Sequence, residues 1–432
     1  MSFISDKQTQ DDLNLFGKFR PHSIYSLFNK VHTAGGERLL DEFFHKPLTD
    51  PGSINQRSQL FRYFHEKQLQ FPFRHTPFSV VENYLNSAVA GNSVTATIGL
   101  LRKKWMGSFL RDEQFEQIQT GLSGTVEMLN TLRELIRNID LPLVEPARKI
   151  LEDPRLSWIS KEQDAGSFSV LELSGYDLLL RKTMQREMEI ILNCVYQLDV
   201  FIHVSAVARE RGLQYATALP ATDNRFATAA LWHPAIAQAV ANPLSLHSNN
   251  NVLFLTGANM AGKSTFMKSF GIAVYLAHIG FPVAAADLEF SVRDGLFSSI
   301  NVSDNLNMGY SHFYAEVLRV KNVATEVSNG HNLIVIFDEL FKGTNVKDAY
   351  DATLAVTTAF AQYRNCFFII STHIIEVGEA LKQNHSNLQF AYLPTKMEGT
   401  VPRYTYQLTE GITSDRHGMI IIRNEKILDM IR

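Results

Sequence analysis

Residues 257–264 read Gly-Ala-Asn-Met-Ala-Gly-Lys-Ser, set between an apolar run, NVLFLT (251–256), and a helical pattern that starts near Lys263. They satisfy G-x-x-x-x-G-K-[ST], and a strand before with a helix after is the context that gives the pattern its meaning. The glycines let the loop backbone turn its N–H groups inward around phosphate oxygens, at the positive end of a helix dipole. Gly257, Ala258, Asn259, Met260, Ala261 and Gly262 would form that cradle. Lys263 would reach the β- and γ-phosphates of a nucleotide, and Ser264 would hold Mg²⁺. A chance Gly-rich turn is the competing reading, and the flanking elements weigh against it.

Two further strands end in chemistry. LIVIFDE (333–339) puts Asp338 and Glu339 at the end of a strongly apolar run. Asp338 can reach the Mg²⁺ shell, and Glu339 can polarise an attacking water as general base. The alternative is a pair of carboxylates capping the next helix. CFFIISTH (366–373) ends in Ser371-Thr372-His373. A His at a strand's carboxyl end beside a phosphate site suits a γ-phosphate sensor, although a lone His is more often structural.

The rest of the chain divides by texture. From Leu13 to about Arg211 the pattern is mostly helical; Leu180, Met184, Glu187, Ile191, Cys194, Leu198 and Ile202 recur at helical spacing. Breaks fall at Pro47–Pro51, Phe71–Pro77, Pro142–Pro146 and Gly166–Gly175, and SFSVLEL (167–173) alternates like a strand or hairpin arm. From about Leu213 short apolar strands alternate with helices, which implies βαβ units and a mostly parallel sheet. The expected architecture is an all-α domain over 1–212 and an α/β P-loop domain of the ABC type over 213–432. A length of 432 residues agrees with two or three domains.

Composition excludes other classes. The net charge is −3, with 45% hydrophobic and 20% charged residues, so neither wholesale disorder nor a strongly basic nucleic-acid coat fits. Cys194 and Cys366 lie in separate apolar segments and read as buried thiols of a reducing compartment. No basic-then-apolar leader opens the chain, and no run of about 18 uncharged apolar residues is seen. The expectation is a cytoplasmic protein without a membrane span.

These residues carry a resemblance. TGANMAGKST (256–265), which adds Thr265 to the cradle, looks like the phosphate loop of the MutS family of DNA mismatch-repair ATPases, TGPNMGGKST. DELFKGTN (338–345) resembles that family's DEIGRGTS, and STH (371–373) its A-T-H. SDNLNMGYSHFYAE (303–316) is similar to the dimer-signature segment, in which a Ser contacts the partner's nucleotide; Ser311 holds that place, with His312 for the usual Thr. In the N-terminal half, residues 24–64 keep the T-A-x-G-x-R-L-L core (33–40) and the P-L-x-D turn (47–50) of the family's lever domain.

The resemblance implies ATP and Mg²⁺ as ligands, hydrolysis of ATP, and a homodimer through the ATPase domains. It also implies helical arms that meet DNA by structure rather than sequence. Segments corresponding to the mismatch-reading, connector and clamp domains are not found, which keeps open a second function: a nucleotide-switched module whose arms bind a protein or ribonucleoprotein. Where the family offers an aromatic to stack on adenine, Ala239 stands; His417, in the DRHG turn, would stack from the other side. For DNA, Arg102-Lys103-Lys104 beside Trp105 is the densest basic run, followed by Arg181, Lys182 and Arg186. Three adjacent basic residues are more often a solvated helix face, and Arg181, Lys182 and Arg186 are similarly ambiguous.

Overall fold

The computed structural model describes residues 2–17, 23–87, 109–159, 168–258, 260–300, 312–398, 401–413 and 430–431. An N-terminal α-helical region precedes a C-terminal mixed α/β domain. Helices of the first region are α1 (Lys7–Asp12), α2 (Ile24–Phe28), α3 (Ala34–His45), α4 (Pro51–Lys67), α5 (His75–Asn86), α6 (Phe109–Ile136), α7 (Glu145–Leu151), α8 (Val170–Leu178) and α9 (Gln185–Arg211). By packing, the chain forms two compact units. The helical unit gathers residues 29–42 and 68–203, and the α/β unit gathers 1–28, 43–67 and 204–432.

In the helical unit, the apolar ladder of α9 and the turn before it is buried as its spacing predicts. Leu180, Met184, Ile191, Cys194, Leu198 and Ile202 lose their solvent, while Glu187 meets Arg155 at 2.9 Å. Asp199, in the same helix, is fully buried. Its carboxylate accepts from the N–H groups of His32 and Thr33 (2.7 Å to Thr33), from the Thr33 hydroxyl at 2.6 Å, and lies 2.7 Å from His203 Nδ1. Gly36 of the T-A-G-G run permits this approach, since a Cβ there would stand 2.6 Å from Asp199 Oδ2.

One expectation changes here. Residues 167–173 were expected as a strand or hairpin arm, but α8 begins at Val170. Ser169 Oγ accepts from Glu172 N, and Ser169 N donates to the Glu172 carboxylate. This capping box satisfies two helix-end donors at once and outweighs a short alternation. Gln185–Arg211, with Asp199 inside it, is also long and apolar enough to pass for a membrane span. Two-thirds of its apolar window is buried within the protein, the situation of a core helix.

The α/β unit contains a five-stranded sheet in the order β1-β6-β2-β3, with β5 also paired to β2. These strands are β1 (Thr217–Leu219), β2 (Arg225–Leu231), β3 (Asn242–His247), β5 (Ala285–Ala286) and β6 (Glu289–Ser291). The second sheet has the order β13-β10-β4-β9-β8-β7 and P-loop-NTPase-like topology. Its members are β4 (Val252–Thr256), β7 (Gly295–Ser299), β8 (Leu333–Asp338), β9 (Phe367–Ser371), β10 (Leu388–Tyr392) and β13 (Thr409–Glu410); β11 (Thr395–Glu398) and β12 (Val401–Tyr404) form a hairpin. Helices α10 (Lys263–His278), α11 (His312–Ser328), α12 (Val346–Phe360) and α13 (Ile375–Asn384) connect the strands. β4, β9, β8 and β7 run parallel, and β4, β7 and β9 are buried at every residue, which is why they read as unbroken apolar runs.

Residues 1–28 and 43–67 pack with the α/β unit. The N-terminal segment covers the sheet edge at β7: Ile4 N donates to Asp294 O, and Leu296 N donates to Ile4 O. Asp12 accepts from Ser298 Oγ (2.8 Å) and Ile300 N (2.9 Å), and Asp6 pairs with Arg319 of α11. An edge strand left bare would invite pairing with another chain, so the segment belongs with the sheet that it closes.

Candidate active site

β4 delivers the chain into the phosphate loop at the point where its neighbours lie on either side, β9 and β10. In open α/β sheets such a point, beyond the strands' carboxyl ends, is where ligands sit. Gly257 and Gly262 take φ of +139° and +103°, and Met260 takes +69°. At Gly262 a Cβ would also approach the Tyr406 ring to 3.0 Å. Gly262 caps α10 without a side chain, leaving the first-turn N–H groups to an incoming anion. Ala261 is buried beneath the loop, Ala258 is half-buried, and Met260 and Thr265 are exposed.

Lys263 is 5% exposed. Its ammonium donates to two carbonyls of its own loop, Gly257 O at 2.8 Å and Ala258 O at 3.2 Å. Burial pushes its pKa down, and the charges of Glu339 and Asp338 push it back up. A buried cation held by neutral acceptors gains by exchanging them for phosphate oxygens.

The carboxylates arrive on the neighbouring strands. Asp338 and Ser371 stand abreast in the β8–β9 ladder, and Ser371 Oγ donates to Asp338 Oδ1. Ser264 Oγ donates to Asp338 Oδ2, which brings the loop hydroxyl and the strand carboxylate together. Hydroxyl and carboxylate oxygens are the hard donors that Mg²⁺ takes, so the residues present fit that ion. Glu339 sits at φ +58°, with its N–H directed to Ser371 O (3.1 Å) and Ser371 Oγ (3.2 Å). Its carboxylate is 3.9 Å from His373 Nδ1, and the imidazole is more than half exposed. Lys263, Ser264, Asp338, Glu339 and His373, singled out on separate segments, thus meet in one place. Asn259, Ser311, His417 and the Arg102–Trp105 run lie outside the described residues.

A model described as MutS domain V matches residues 253–430, and one described as MutS domain III matches residues 8–205. The chain belongs to the MutS family. Its two matched domains together span most of the sequence, and domain V is the family's ATPase domain, so the chain carries a nucleotide-hydrolysing domain.

Two residues near this MutS site were not foreseen. Ser371 joins Asp338 to the Glu339 backbone, and its signal was its register opposite Asp338. Tyr406, 46% exposed at φ +56°, faces the Gly262 turn of the loop. Asn242 holds it there, donating to Tyr406 O at 3.0 Å and accepting from Leu408 N at 2.6 Å. Ala239 is close in sequence to Asn242, so an aromatic absent from one segment is present on the segment bonded to it. Among the DNA candidates, Arg181 is enclosed: it bonds to both Asp177 oxygens (2.7 and 3.0 Å) and to Ser87 Oγ at 2.7 Å, with its side chain 7% exposed. Lys182 and Arg186 are exposed.

Proposed function

We propose that this MutS-family chain binds and hydrolyses Mg-ATP at the phosphate loop and pairs with a second copy in the ATP state. Nucleotide-dependent pairing then moves helical arms that engage DNA by shape and phosphate charge. The observation that carries the reading is the meeting of buried Lys263 with the Ser264–Asp338–Ser371 chain. The Lys263 ammonium leaves its loop carbonyls for the β- and γ-phosphate oxygens, where it stabilises charge developing in phosphoryl transfer. Ser264 and Asp338 would hold Mg²⁺, which supplies further positive charge at those oxygens. Glu339 takes the proton of the attacking water, and His373 orients Glu339 and contacts the γ-phosphate. Tyr406 offers one face for the base, a contact worth about 1 kcal/mol. The partner's Ser311 completes the site, which makes hydrolysis depend on pairing.

Enclosure of Arg181 favours a second reading for the arms, in which they meet a protein or ribonucleoprotein, because one of the few candidate DNA contacts is committed to Asp177. Phosphate release from Mg-ATP, combined with salt-titrated anisotropy on matched, mismatched and branched DNA, tests both parts. The expected result is turnover, with weak DNA binding lost steeply between about 50 and 200 mM salt and little mismatch preference. Turnover without binding to any DNA would favour the second reading. No turnover with or without DNA would overturn the proposal.

A further inference from the structure

Between β8 and α12 two residues adopt left-handed backbone, Glu339 at φ +58° and Phe341 at φ +61°. Glu339 has a local reason for it in the bonds to Ser371. Phe341 has none within the site, and the segment that DELFKGTN resembles has Gly at this position. A left-handed Phe persists only where its surroundings over-determine it. Its ring is 4% exposed and belongs to the core cluster of Phe337 and Phe360. It also lies 6.1 Å from the Phe313 ring at an angle of 59°, within the range of favourable aromatic pairs. Phe313 is in the first turn of α11. One turn on, buried Glu316 accepts from Gly343 N at 3.4 Å. The loop that carries Glu339 is therefore tied twice to the start of α11, and one turn further along the helix Arg319 pairs with Asp6.

We propose that Phe341 is a positioning residue for hydrolysis, which by seating its ring on Phe313 keeps the Glu339 turn wound and joins it to helix α11. The inference rests on Glu339 acting as the general base. A carboxylate displaced by about 1 Å can lose a factor of about 100 in rate while the phosphate contacts persist, so the loss belongs in kcat and not in binding.

Phe341→Gly removes the ring and relieves the backbone at once. Expected is a fall in kcat of about tenfold or more, with the Kd for Mg-ATP changed by less than about threefold. Phe313→Ala, which leaves residues 339–345 untouched, should give a similar loss even if the glycine variant folds poorly. The double variant should be no slower than the slower single one, because both break one contact. Phe341→Leu should recover part of the rate. A kcat within about twofold of wild type in both single variants, additive losses, or an equal loss of ATP affinity would overturn the proposal. Glu339→Gln, assayed alongside, separates the two levels. If it turns over like wild type, the reading of the base has failed; if it is slow while both Phe variants are fast, only the present inference has.

Discussion

Asp199 and Lys263 are both buried charged residues, and their surroundings differ in kind. Asp199 in the helical unit is met by two backbone N–H groups, a hydroxyl and an imidazole. Such saturation makes a buried charge a fixed structural joint, since each partner would cost free energy if left bare. Lys263 in the α/β unit has two neutral carbonyls from its own loop and a pKa pushed down by burial. Around it, Gly257, Met260, Gly262 and Glu339 all sit at positive φ. One cluster is complete; the other is held ready for a ligand. Burial of charge alone does not separate joint from site, whereas the supply of partners does.

The largest expected effect breaks the second cluster. Lys263→Ala should lower ATP turnover by about 10²–10³ while the ligand-free protein keeps its stability within about 1 kcal/mol, because a penalised charge is removed. Phosphate release and urea unfolding check both halves. Asp199→Ala should do the converse, destabilising the helical unit by about 3–5 kcal/mol because several buried donors lose their acceptor, with ATP affinity retained. Equal loss of stability in the two variants would erase the distinction.

His278 is fully buried, with Nδ1 2.8 Å from Leu48 O, and burial lowers its pKa from 6.5 to about 4 against the opposing pull of that bond. The folded value lies below the unfolded one, so the stability contributed by the neutral ring is full above pH 6.5 and is lost as pH falls toward 4. The expected loss over that window is about 2–3 kcal/mol, and His278→Asn should flatten the profile. His233, lowered to about 4 by burial and by Lys268, leaves a residual slope. An unchanged profile in the His278 variant would refute the assignment.

The three strands that build the site were readable because a parallel strand buried on both faces must be an unbroken apolar run, as in Val252–Thr256 and Phe367–Ser371. The loop was readable because its glycines and lysine are required within eight residues. What the sequence hid is long-range or conformational. Asp6 finds Arg319 across 313 positions, so the N-terminal segment could not be assigned to the sheet that it closes. Ser169 and Glu172 form a cap whose three-residue spacing was masked by the alternation of SFSVLEL. Tyr406 faces the phosphate loop from a turn that Asn242 holds from far along the chain, and nothing in the letters marks Phe341 as left-handed.

In the proposed function Glu339 supplies the base of an ATP-hydrolysing site whose binding contacts lie elsewhere. Single-turnover hydrolysis by Glu339→Gln, with Mg-ATP binding measured on the same preparation, tests it most directly. The predicted result is ATP bound within about threefold of the wild-type affinity and hydrolysed about 10² or more times slower, since general-base assistance is worth roughly 10²–10⁴. Light scattering of the trapped state should show a shift from one copy toward two. Hydrolysis at the wild-type rate with ATP bound would exclude Glu339 as the base.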